Sequence, residues 1–167
     1  AALTGGQVDF AWRLDYSAPQ ALEGTGVHAE HNLGVSMSSL SIDRSQGPLR
    51  DQRIRQAISH AIDRSALATA NTSGLSKVGA QQPYPPGHPF HFADLNDTHA
   101  YDPARAKQLL AEAGYPNGLT LRGASLNSPA FVNNGVVISG QLAKVGIKIK
   151  FEAKDIGEAT KGFYVDH

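Results

Sequence analysis

The 167-residue sequence contains no cysteine, which removes disulfides, thiol nucleophiles and cysteine-ligated metals from consideration. That absence does not assign a compartment, because many exported proteins lack cysteine too. An excess of charge is also missing. Lys plus Arg and Asp plus Glu each number 15, and no block of like charges occurs, so no net field draws the chain to nucleic acid or to an anionic membrane. No run approaches the roughly 18 apolar residues of a membrane span, and the opening AALTGGQVDF has no basic stretch followed by an apolar core. Internal repeats and low-complexity tracts are absent as well. What the length supplies is enough chain for one domain with a core that needs no metal or disulfide to hold it.

The strongest signal lies in Pro48 to Ala70, PLRDQRIRQAISHAIDRSALATA. Ile54, Ala57, Ile58, Ala61 and Ile62 recur at the spacing that lines one helical face, while Arg53, Arg55, Gln56, Ser59 and His60 fall elsewhere. Asp51 is placed to cap this helix and lies four residues before Arg55, and Asp63 is placed to cap a second helix after a bend.

Around this centre the chain alternates strand and helix signals. Val8 to Trp12 is a short apolar run suited to a buried strand, and Pro19 to Glu23 to a short helix stopped by Gly24. Gly24-Thr-Gly26-Val-His-Ala29 matches a dinucleotide fingerprint in letters only, because it neither follows a strand nor opens a helix. Val27 to Glu30 and Leu33 to Ile42 read as extended. Asn71 to Tyr101 carries four prolines and three glycines and predicts a long loop, a kind of segment that is often functional. Asp102-Pro103 opens a helix that buries Ala106, Leu109, Leu110 and Ala113 and closes at Gly114. Leu119 to Arg122 alternates as a strand. Ser128-Pro129 opens a helix with Phe131, Ile138, Leu142 and Val145 on one face, weakened at Asn133-Asn134-Gly135. Ile147, Ile149 and Phe151 alternate with Lys148, Lys150 and Glu152 as a half-buried strand, and a further helix starts near Asp155. The fold class these signals predict is an α/β layered lobe, residues 1–167 forming one unit.

The candidates for chemistry are weak. His28 and His31 point to opposite faces of an extended chain, and His88 and His91 sit about 9 Å apart along a polyproline-like segment, too far for one ion. Ser59 and His60 are adjacent on a helix and do not face each other. Asp94, Asn96 and Asp97 lack the rest of a calcium loop. Arg53 and Arg55 have Asp51 nearby and read as solvated or surface-paired. No catalytic residue, metal site or cofactor site emerges. Trp12, the only tryptophan, with Arg13, Asp15 and Tyr16, combines flat surface and charge suited to a peptide-like ligand; a core aromatic followed by a solvated turn is the competing reading.

Three separated motifs in one order carry a resemblance: Ile54-Arg55-Gln56-Ala57-Ile58 with Ala61-Ile62-Asp63-Arg64, Ala104 to Gly118 (ARAKQLLAEAGYPNG) and Gln141 to Lys150 (QLAKVGIKIK). Together they resemble the family 5 extracellular solute-binding proteins, the dipeptide, oligopeptide and nickel receptors of ABC importers. The resemblance covers nearly the whole chain. It implies a periplasmic binding protein-like type II fold of which this is one lobe, the C-terminal one, with the N-terminal lobe missing. It implies a non-enzymatic, extracellular or periplasmic protein that hands a small solute, peptide by the family's commonest use, to a membrane permease. An export signal or lipid anchor would belong to a part of the protein outside this sequence. In the family the loop after the strand matching Val8 to Trp12 reaches the ligand cleft, as does the turn after the strand matching Leu119 to Leu126. The resemblance therefore implies Trp12, Arg13, Tyr16 and Asn127 as ligand-binding residues, Asn127 offering both donor and acceptor to a peptide backbone. The sequence departs from the pattern at Ser41, where an asparagine is common, and the tryptophan segment that closes the family pocket would lie beyond His167. Nickel complexes and oligosaccharides thus stay open beside peptides. Two other classes are weighed against transport: a ligand-sensing lobe of a regulator with the same fold, and a metal-dependent hydrolase.

Overall fold

A computed structural model describes residues 2–12, 14, 18–30, 39–72, 78, 82, 84, 87–95 and 98–164. Its elements in order are α1 (Ala18–Leu22), α2 (Gln52–Ala61), α3 (Arg64–Thr72), α4 (Pro103–Glu112), β1 (Leu119–Leu126), α5 (Pro129–Ala143), β2 (Ile147–Lys154) and α6 (Ile156–Tyr164).

Aspartate starts four of these helices. The Asp51 side chain accepts from the Arg53 N–H at 2.8 Å, Asp63 from Ala66 at 2.9 Å, Asp102 from Arg105 at 2.9 Å and Asp155 from Glu158 at 2.9 Å. Each carboxylate satisfies an N–H that the helix leaves without an internal partner, next to the positive end of the helix dipole. The bend between α2 and α3 falls at Ile62 and Asp63, as the sequence predicts.

The stripe Ile54, Ala57, Ile58, Ala61 and Ile62 is buried throughout. It packs with Ala106, Leu109 and Leu110 of α4, Leu142 of α5, Val145, Leu121 of β1 and Ile147 of β2 in one core. The bend is pinned by a polar contact inside this layer. Buried Gln141 accepts from the Asp63 N–H at 3.0 Å and donates to the Asp63 carbonyl at 3.2 Å, pairing both backbone groups of a residue that belongs to neither helix.

β1 and β2 run parallel and in register from Leu119 beside Ile147 to Leu126 beside Lys154, with α5 as the crossover between them. The expected strand at Leu119 to Arg122 is thus longer, ending at Leu126. Gly118 and Gly146 lead into the two strands with φ of 84° and 92°, and a Cβ on Gly118 would collide with the Gly146 carbonyl oxygen. The Phe151 ring is held between two further glycines. A Cβ on Gly123 of β1 would come within 2.7 Å of it, and one on Gly135 of α5 within 3.3 Å. This explains why α5 runs unbroken through Asn133-Asn134-Gly135, against expectation: the position with the poorest helix propensity is the one at which helix and ring must approach closely.

Three expectations are corrected. Val8 to Trp12 forms no strand and is not buried: Phe10 is 79% and Trp12 75% exposed, and the run pairs with neither β1 nor β2, the two strands of the sheet among the described residues. Phe131 is exposed in the first turn of α5, while Leu142 and Val145 at the other end reach the core. Residues 39–42 are irregular rather than a strand, and the rest of that expected strand, 33–38, lies outside the described residues.

Ile58→Ala is expected to cost about 2 to 5 kcal/mol in a denaturant melt, since it hollows the shared core. Gly123→Ala should cost about 1 to 3 kcal/mol by overpacking Phe151, and Phe151→Leu should make the same change cheaper. Equal costs of Gly123→Ala in both backgrounds would show that the ring is not what the glycine accommodates.

Candidate functional site

Of the four residues implied as ligand-binding, Trp12, Arg13 and Tyr16 are neighbours in the sequence and Asn127 is far from them along the chain. Asn127 follows β1 directly and is exposed. Its backbone N–H donates to the Lys154 carbonyl at 2.8 Å, carrying the ladder one residue past β1, and Ser128 then turns the chain with an N–H bond to Leu126 at 2.8 Å. Its amide thus stands at the carboxyl edge of a parallel pair, the edge outside which open α/β sheets bind ligands. The sequence showed the residue but not this anchoring, which depends on the register of β2. Trp12 is exposed in the irregular N-terminal segment. Arg13 and Tyr16 lie outside the described residues.

A concavity of about 380 Å³ exists elsewhere, at the amino edge of the same sheet, lined by residues including Lys107, Tyr115, Asn117 and Lys144. It adjoins Gly118 and Gly146, which lead into the strands, and so lies at the opposite end of β1 from Asn127.

The remaining candidates are occupied structurally. Arg53 forms a fork with Asp51, Nε to Oδ1 at 3.0 Å and Nη2 to Oδ2 at 2.6 Å, and its Nη1 donates to the Glu112 carbonyl at 2.6 Å. Arg53 holds the Asp51 carboxyl below the usual carboxylate range. Arg55 donates to the Leu49 and Arg50 carbonyls, both at 2.8 Å. The two arginines therefore tie the start of α2 to the turn before it and to the end of α4. Ser59 Oγ accepts from Arg64 at 2.9 Å while His60 Nδ1 meets the Ala100 carbonyl at 2.7 Å, so they form no nucleophile and base pair. His91 Nδ1 lies 2.8 Å from the Tyr84 carbonyl and His88 stacks on Tyr84 at 4.6 Å. Among the described residues no three His, Asp or Glu side chains converge as a metal site.

One imidazole pair is electrostatically distinctive. The His60 and His99 rings lie 5.4 Å apart where residues 98–102 meet the end of α2, and the Asp102 N–H donates to the His60 carbonyl at 2.8 Å. Partial burial, with His60 and Arg64 nearby, pushes the His99 pKa below its ordinary 6.5.

With this geometry in view, the comparisons place the chain. The profile of the bacterial extracellular solute-binding proteins, family 5 Middle, matches residues 1–163, and the chain belongs to that family. The glutathione-binding protein GsiB of Shigella flexneri serotype 5b is 31% identical over 160 residues, covering 95% of this chain and 31% of that protein. The periplasmic binding protein AgaA of A. tumefaciens R10, solved with agropinic acid, is 33% identical with a TM-score of 0.63, covering 70% of this chain and 25% of that one. The ABC transporter-associated periplasmic binding protein DppA of Helicobacter pylori, solved with the peptide STSA, is 30% identical with a TM-score of 0.58, covering 66% of this chain and 21% of that one. The chain spans about a third of the length of the curated relative or less of these solved chains. The fold is that of periplasmic binding proteins, as the motifs of α2, α4 and β2 implied.

A folded-state pKa below the unfolded one means the unfolded chain takes up the proton first, so His99 favours the fold above pH 6.5 and that contribution is lost as pH falls below it. Urea melts should therefore show lower stability at about pH 5.5 than at about pH 7.5, with a smaller difference in His99→Gln. An undiminished difference in that variant would assign the loss to other groups.

Proposed function

We propose that this chain is the C-terminal lobe of an extracellular receptor of an ABC importer, a non-catalytic lobe that helps capture a small solute and present it to a membrane permease. The observation that carries this reading is the family match across residues 1–163, and the exposed Asn127 at the carboxyl edge of the β1–β2 pair agrees with it. Peptide is the solute class we favour. Relatives include proteins named for glutathione and heme and one solved with a tetrapeptide, so the family accommodates several chemistries and an amide-reading asparagine suits a peptide backbone best. Trp12, Arg13, Tyr16 and Asn127 are the residues we assign to the solute-binding site. The receptor works outside the cytoplasm, either free in the periplasm or held by a lipid anchor.

One lobe supplies part of the grip. If a complete receptor binds at about 1 μM, near −8 kcal/mol, half of the contacts leave about −4 kcal/mol and a millimolar affinity. Calorimetry with a peptide library on the complete receptor should find a ligand, and alanine at each of the four positions should weaken it. Unchanged affinity in all four variants would remove them from the site, and micromolar peptide binding by the 167-residue chain alone would contradict the divided grip.

A further inference from the structure

Residues 73–101 connect α3 to the Asp102 cap of α4, and among the described ones none belongs to the shared apolar core. They hold one another instead. Gln82 accepts from the Phe92 N–H at 2.9 Å and donates to the Phe92 carbonyl at 2.7 Å, and the Tyr84, His88 and Phe90 rings cluster with centroids no more than 5.7 Å apart. The return to the framework is built on His60 at the end of α2. Its Nδ1–H donates to the Ala100 carbonyl at 2.7 Å, its own carbonyl accepts from the Asp102 N–H at 2.8 Å, and its ring meets that of His99 with centroids 5.4 Å apart. A carbonyl only accepts, so the His60 proton sits on Nδ1 and a second one goes to Nε2, leaving the bond to Ala100 intact. What a second proton changes is therefore the charge beside His99. Arg64 of α3, held by the Ser59 carbonyl and Oγ, adds a permanent cation there, while the Asp102 carboxylate at the start of α4 is engaged by the Arg105 N–H.

We propose that His60 and His99 form a proton-operated latch: neutral rings hold the end of the 73–101 connection on α2, and protonated rings separate, releasing the loop that carries Gln82, Phe92 and His99 while the core stays folded. The direction follows from the surroundings of His99. Partial burial beside His60 and Arg64 disfavours its charged form, and a released ring regains water and its ordinary pKa of 6.5, so proton uptake drives the opening. The latch is closed above that pH and opens as pH falls below it. The opening stays local because a segment without apolar core contacts can detach at low cost, whereas the stripe of α2 remains buried against α4 and α5. The device depends neither on the solute nor on the residues assigned to its site.

The absence of cysteine lets two spin labels be attached selectively, at Ala93→Cys in the loop and Ala111→Cys on α4, both exposed positions. Dipolar distance measurements on the labelled 167-residue chain should give one narrow distance at about pH 7.5 and a broad, longer distribution at about pH 5, with the helical circular dichroism unchanged. His99→Phe and His99→Gln cannot take up the proton, and at least one of them should keep the narrow distance in acid. His88→Phe, which removes a histidine of the same loop outside the latch, should open as the parent does. A parent that stays narrow in acid, broadening in both His99 variants, or broadening that His88→Phe suppresses would each overturn the proposal. Loss of the helical signal over the same pH range would overturn it too, by assigning the change to the whole framework.

Discussion

The apolar stripe of α2 has to be covered, and the rest of the described fold is arranged by how it is covered. An isolated ten-residue helix is marginal in water, so α2 exists because Ile54, Ala57, Ile58 and Ala61 are buried against α4 and α5 in the core they share. The polar contacts around it serve the same end. Asp51 and Arg53 fix where it begins, Arg53 reaches the last carbonyl of α4, and Gln141 holds the chain at its exit. Because Gln141 belongs to α5, the helix that crosses between the strands, the position of α2 and the position of the sheet are one constraint.

That constraint explains which parts were legible in the sequence. Helix starts were readable because aspartate at the first cap acts locally: Asp51, Asp63 and Asp102 announce α2, α3 and α4 from their own neighbours. The faces of α2, α4 and β2 were readable because burial imposes its period on the residues. Val8 to Trp12 misled because an apolar run becomes a strand only when another segment pairs with it, and that pairing is decided by distant chain. Gly135 misled in the opposite direction, since its propensity counts against a helix while its missing side chain is what lets α5 close over Phe151. Gln141 gave no local signal at all; its partner is 78 residues away.

For the site the division is similar. The motifs of α2, α4 and β2 are structural, yet they led to the family, because a receptor family keeps its framework while its solute varies. The framework then places Asn127 at the carboxyl edge of the sheet through a hydrogen bond to Lys154 that no inspection of Asn127's neighbours would disclose. Binding residues sit on connections and the framework decides where those connections emerge.

α2, α4, α5 and the two strands share one core and form a single framework, to which the exposed N-terminal segment adds little. Native-state hydrogen exchange on the 167-residue chain tests this most directly, because amides that open only with the whole framework exchange slowest. α2, α4, β1 and β2 are expected to share the highest protection and one common opening free energy, while the amides of residues 8–11 exchange near the unprotected rate. Protection of residues 8–11 equal to that of the strands, or an α2 that opens independently of β1 and β2, would contradict this.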